Sequence, residues 1–166
     1  MKITIRRAAF AALLPLAFAA PAAAQPPSLG VSANVTKNCI VSAAPLAFGG
    51  VDVTTGSAVD GTADLTVRCT SGTEWSAMAG PGTGAGASVA VRRMTDAANN
   101  TLDYALYTDP GRTTVWGGGE EEAGDPIIGE GTGSDQLATV YGRVLGGQAG
   151  RPSGSYADTV QITLSY

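Results

Sequence analysis

The sequence contains no histidine and only two cysteines, and beyond residue 24 only one lysine, Lys37. Without histidine there is no ordinary Ser-His-Asp or Cys-His constellation for nucleophilic catalysis. Two cysteines with no C-x-x-C spacing do not make a structural zinc site. Scarce lysine and no cluster of basic residues exclude recognition of nucleic-acid phosphates. Past the first twenty residues no apolar run approaches the roughly 20 residues a bilayer-spanning helix needs, so the mature chain is not expected to insert in a membrane. A pair of carboxylates working on a glycosidic bond stays formally open, but nothing in the spacing selects a pair. The chain is read as a non-enzyme with no cofactor and no metal.

The chain opens on Lys2, Arg6 and Arg7, followed by an apolar stretch from Ala8 to Ala20 and small residues at Ala22 and Ala24. This pattern predicts a secretory signal over residues 1–24. Its removal leaves 166 − 24 = 142 residues, the size of one domain. It also takes away three of the 10 basic groups and none of the 14 acidic ones, so the mature chain carries a net charge of 7 − 14 = −7. In an exported chain two cysteines most simply pair, and a Cys39–Cys69 bond closing a loop of about 30 residues contributes roughly 3–4 kcal/mol by chain entropy.

Glycine, at 23 residues, is abundant, and helix formers such as Lys and Glu are few. Apolar residues recur with period two over Leu29–Thr36, Ala63–Cys69, Ser88–Arg92, Leu102–Tyr107, Thr139–Val144 and Thr159–Tyr166. Turn signals separate them: Phe48–Gly50, Gly80–Gly86, Asp109–Gly111, Trp116–Gly119 and Arg151–Gly154. The stretch from Gly117 to Gly133 reads as a surface loop. Six or seven short strands without a helical pattern predict an all-β sandwich of antiparallel sheets. The last alternating run ends at Tyr166 with nothing after it to cover its edge, and an exposed apolar edge invites pairing with another chain.

Several segments, in order, carry a resemblance: Asn38 and Cys39; Leu46 to Gly49; Val67 to Thr70; Arg93 and Met94; Leu102 to Asp109; Arg112 to Gly117; Val140 to Arg143; Gly154 to Val160; and Tyr166. Together they resemble the spore coat protein U domain, a family that includes the Csu-type pilins of archaic chaperone-usher systems. The resemblance covers residues 29–166. It implies an immunoglobulin-like Greek-key sandwich lacking its last strand, spanning residues 39–166 behind an N-terminal donor segment at 25–38. A periplasmic chaperone would fill the missing place first, and the extension of the next subunit would replace it, an instance of β-augmentation. The donor residues would be Leu29, Val31, Ala33 and Val35, and the groove edge Val160, Ile162, Leu164 and Tyr166, with the Tyr166 carboxylate as the chaperone's anchor. The implied partners are the chaperone, an outer-membrane usher and other copies or related subunits; the implied location is the periplasm, then a surface fibre serving adhesion or biofilm formation.

Two other readings share these residues. One is a coat component of a spore or cyst. The other is an adhesin that binds a carbohydrate or surface through loops around Trp75, Trp116 and Glu120, although core tryptophans are commoner in sandwiches. The acidic group Glu120, Glu121, Glu122 and Asp125 lacks the spacing of a calcium loop and reads as solvated. Gly30 is either a close-approach position or a flexible lead-in.

Overall fold

The computed structural model describes residues 24–118 and 123–166. The predicted signal, apart from Ala24, lies outside the described residues, as do Glu120, Glu121 and Glu122. Two units are distinguished, Met1–Asn34 and Val35–Tyr166. In the described part of the first, no residue is in a helix or strand, and Leu29 and Val31 are 89% and 87% exposed. The period-two run over 29–36 therefore forms no strand in this chain. Alternation specifies a face to be buried, but a strand also needs a ladder partner.

The second unit is all-β. Its strands are β1 (Cys39–Ala43), β2 (Val59–Cys69), β3 (Glu74–Ala79), β4 (Arg92–Thr95), β5 (Thr101–Tyr107), β6 (Ile127–Glu130), β7 (Gln136–Val144) and β8 (Ile162–Ser165). A 3-10 turn, Val53–Thr55, is capped by Asp52, whose carboxylate accepts from the Thr54 amide at 2.8 Å. One sheet has the order β1-β2-β7-β5-β4 and the other β6-β3-β8, with every neighbouring pair antiparallel. The predicted alternation decides the inner faces. Leu65, Val67 and Cys69 of β2 are buried while Asp64 and Arg68 point outward, and Val140 and Val144 of β7 repeat the pattern.

The pattern Ser88–Arg92 is corrected: β4 starts only at Arg92, and residues 88–91 bend, with the Ser88 and Val91 backbones bonded to each other at 2.9 Å. Arg92 explains the bend. Fully buried, its guanidinium donates to the carbonyls of Val89 at 2.9 Å, Ala79 at 2.9 Å, Gly80 at 2.8 Å and Trp116 at 2.7 Å, so four backbone acceptors from three segments converge on one side chain. Both tryptophans belong to the core, Trp75 at 6% and Trp116 at 2% exposure, and Trp116 donates its indole N–H to the Ala77 carbonyl at 2.9 Å. Both thus take the core role that is the commoner one for tryptophan in a sandwich. Asp109–Arg112 is a turn, closed by the Arg112 amide on the Asp109 carbonyl. Cys39 and Cys69 are bonded, and they face each other as the first rung of the β1–β2 ladder.

Candidate functional site: an apolar cleft beside the last strand

In a constant-type immunoglobulin sandwich, strands A, B, E and D form one sheet and C, F and G the other. Reading along this chain, β1-β2-β7-β5 takes the places of A, B, E and D, while β3-β8 takes those of C and F. Strands β4 and β6 are additions at the outer edges. The place of G, beside β8 on the side away from β3, is taken by no strand among the described residues.

The register fixes what that edge offers. The Gly80 amide donates to the Gln161 carbonyl at 3.0 Å, and Ala79 faces Ile162. In an antiparallel ladder, residues whose backbone bonds to the neighbour alternate with residues whose backbone points away. Gln161, Thr163 and Ser165 thus bond toward β3, whereas Val160, Ile162 and Leu164 present N–H and C=O groups to the open side. The side chains of these last three turn inward and are half-buried.

Next to this edge lies a cleft of about 1130 Å³, larger than the roughly 300–1,000 Å³ of ordinary ligand pockets. One wall is the segment Ala43–Thr54, the other residues 149–160, and the floor is the core itself: Met94, Leu102, Tyr104, Leu106, Trp116 and Val140. The first wall is seated by a pair of glycines. Gly61 of β2 and Gly142 of β7 face each other across the ladder, and a Cβ on Gly142 would come within 2.8 Å of Leu46 and 2.9 Å of Phe48. With no side chain there, Leu46 and Phe48 lie against bare sheet, and Phe48 meets Tyr104 edge to face at 6.1 Å.

The second wall is fastened through Asp158. Its carboxylate accepts from the Tyr104 hydroxyl at 2.7 Å, from the Thr83 amide and hydroxyl at 2.8 Å each, and from the Thr159 amide at 2.8 Å. This joins β5, the Gly80–Gly86 turn and the lead into β8. Burial disfavours the phenolate, and the bond to Asp158 holds the proton, so the Tyr104 hydroxyl titrates well above its ordinary value near 10. Further along, Gln148 bonds the backbone of Asp103 at 2.8 and 2.9 Å, and Tyr156 donates to the Pro152 carbonyl at 2.8 Å.

Of the predicted edge residues, Val160 and Ile162 line the cleft, Leu164 packs on the core beyond it, and Tyr166 is 55% exposed with its hydroxyl 3.5 Å from the Asn38 side chain. Of the predicted donor residues, Leu29, Val31, Ala33 and Val35 are all exposed. Sequence reasoning used Leu46, Phe48, Tyr104, Gly142 and Asp158 only as parts of the segments that carry the resemblance, and gave neither them nor Gly61 a place in the site. The alternation of Leu46 and Phe48 is the signal that would have found the first wall. Asp52, Asp64, Arg151 and Asp158 also line the cleft, but most of the lining is apolar surface, and beside it runs the open backbone edge of β8.

Such a fold defines a class: an antiparallel sandwich of immunoglobulin type with one edge open onto its own core. More narrowly, the chain belongs to the Spore Coat Protein U domain family, which matches it over residues 27–163. A comparison with curated proteins finds no match. Eleven chains of solved structures do match. One is from the crystal structure of the CsuC-CsuE chaperone-tip adhesion subunit pre-assembly complex of the archaic chaperone-usher Csu pili of Acinetobacter baumannii, with a TM-score of 0.58 and 17% identity. The likeness takes in 80% of this chain but 40% of that one, and at such identity what is shared is the fold. Among the described residues, no helix is long and apolar enough to cross a membrane.

Proposed function

We propose that this chain is a structural subunit of a surface fibre, joined to its neighbours by a strand laid into the cleft beside β8. The observation that carries the reading lies at the G position, where no strand stands among the described residues: an open backbone edge coincides with an apolar cleft that runs down to Tyr104 and Trp116. A strand placed there bonds to the free groups of Val160, Ile162 and Leu164 and turns every second side chain into the cleft.

Residues 25–38 of another copy, or of a related subunit, have the matching pattern. Leu29, Val31, Ala33 and Val35 would enter the cleft, while Ser32, Asn34 and Thr36 would lie beside Gln161, Thr163 and Ser165 on the polar outer face. Fully burying a Val or Leu side chain contributes about 1.5–3 kcal/mol, so the three larger donors supply roughly 5–9 kcal/mol before the cost of ordering the segment. The chaperone-subunit nature of the CsuC-CsuE complex supports a periplasmic chaperone as the first occupant and an usher as the exporter, with Tyr166 as the chaperone's contact and the cell surface as the destination. A role in adhesion or biofilm formation would follow from the fibre.

The test is deletion. The mature chain should polymerise when freed of chaperone, and removal of residues 25–36 should leave monomers whose thermal midpoint rises when a synthetic peptide of residues 25–38 is added. Fibres formed by the deletion variant would refute this joint. The family's description favours one second reading, a spore or cyst coat layer; immunogold labelling of cells and of resting forms separates the two.

A further inference from the structure

The Cys39–Cys69 bond stands between the two halves of the proposed joint. Upstream of it is the segment 25–38. Downstream, after the five residues of β1, the chain continues directly as Ala43–Thr54, the first wall of the cleft. Along the backbone alone, tension on the extension would run through β1 into the wall that grips the neighbour's strand.

Neither element is built to resist it. β1 is an edge strand paired on one side only. The Ala44 amide still bonds the Asp64 carbonyl at 2.9 Å, but from there Leu46 and Phe48 are seated by side-chain contact over Gly61 and Gly142. The disulfide lies ahead of both, at the first rung of the β1–β2 ladder. Thr70, next to it, adds to the clasp: its amide donates to the Asn38 carbonyl at 2.9 Å, and its hydroxyl accepts from the Asn38 amide at 3.1 Å.

Resting on the fibre reading above, we infer that this disulfide is a mechanical shunt: it transfers tension arriving at Asn38 to β2 before that tension reaches β1 and the cleft wall. β2 is suited to receive it. It runs for 11 residues, is flanked on both sides, and is paired to β7 from Val59 to Val67. Hydrogen bonds between strands yield under forces that leave a covalent bond intact, so a shunt through sulfur keeps one joint from loosening when the next is pulled.

Fibres assembled from the full mature chain and held at constant tension provide the test. The comparison is between oxidised fibres, fibres reduced with dithiothreitol after assembly and checked by thiol alkylation, and fibres of the Cys39→Ala/Cys69→Ala variant. Without tension, joint lifetimes should agree within twofold. Under tension the lifetime should fall at least tenfold once the disulfide is gone. Should the double variant fail to fold, reduction after assembly makes the same comparison on subunits already built. An identical force dependence with and without the bond overturns the shunt alone; failure of the mature chain to join through residues 25–38 overturns the fibre reading and the shunt with it.

Discussion

Val31 offers the sharpest separation between what holds the subunit together and what joins subunits. At 87% exposure it contributes almost nothing to the chain that carries it, so Val31→Asp should shift that chain's stability by no more than about 0.5 kcal/mol. In the cleft of a neighbour the same substitution removes about 1.5–3 kcal/mol of apolar burial. It would also set a carboxylate into a cleft whose floor is apolar, adding roughly 2 kcal/mol or more for an uncompensated polar group. At 1.4 kcal/mol per tenfold, about 4 kcal/mol weakens binding roughly 10³-fold. Ser32→Asp, one residue on and facing outward in the same strand, should cost less than about threefold. The assay is competition of variant peptides spanning residues 25–38 against a labelled parent peptide on the domain lacking residues 25–36, read by fluorescence anisotropy. The apolar cleft would raise the bound aspartate's pKa, so the part of the loss that comes from charge is regained as pH falls through that raised value and is fully recovered below the ordinary range near 3.9, while the lost apolar burial is not. Equal weakening by the two substitutions, or a Val31→Asp peptide within tenfold of the parent, would refute the alternation on which the joint is built.

Other perturbations probe the frame of the cleft. Tyr104→Phe removes one donor from Asp158 while Thr83 and Thr159 keep theirs; a bond to a charged acceptor is worth about 1.5–3 kcal/mol, and calorimetry should record a fall of several degrees in Tm. Because the Tyr104 pKa is raised in the folded state, its contribution is whole below about pH 10 and declines as pH rises further, and this alkaline slope should be shallower in Tyr104→Phe. Arg92→Lys leaves several of the carbonyls of Val89, Ala79, Gly80 and Trp116 without a donor, since an ammonium cannot span the fork of a guanidinium; urea unfolding should show a loss of 3 kcal/mol or more, in order of magnitude. Gly142→Val lifts Leu46 and Phe48 from their seat. Their tips can swing aside, so stability should drop by only about 1–3 kcal/mol while affinity for the 25–38 peptide falls at least tenfold.

How far the sequence disclosed this architecture depends on how each element is packed. β2, β7 and β8 turn one face inward and their alternation is plain, while β5 keeps the alternation of Leu102, Tyr104 and Leu106 and also buries Ala105 on its other face. β3 is masked because its inward positions after Trp75 are Ala77 and Ala79, too small to mark a face against the neighbouring Ser76 and Met78. β1 and β6 are short edge strands with Ile40 and Ile128 exposed, so apolar residues fall on both sides and no period emerges. The Cys39–Cys69 pairing followed from count and compartment. The cleft did not. Its walls come from residues 43–54 and 149–160, and its brace joins Tyr104 to Asp158 across 54 positions, a relation set by tertiary packing alone. Conversely the run 29–36, read as strand-like, has no ladder in this chain; under the proposed function its alternation answers the cleft of a second molecule.

The strand and the cleft are different stretches of one polypeptide, and a union between them is of the heterologous, head-to-tail kind. An interface of that kind does not close on itself unless the rotation between copies happens to complete a ring. In the proposed fibre growth would then be directional: one terminus would show an unfilled cleft and the opposite terminus an unclaimed extension, so a partner lacking either half would act as a stopper at one terminus and be inert at the other.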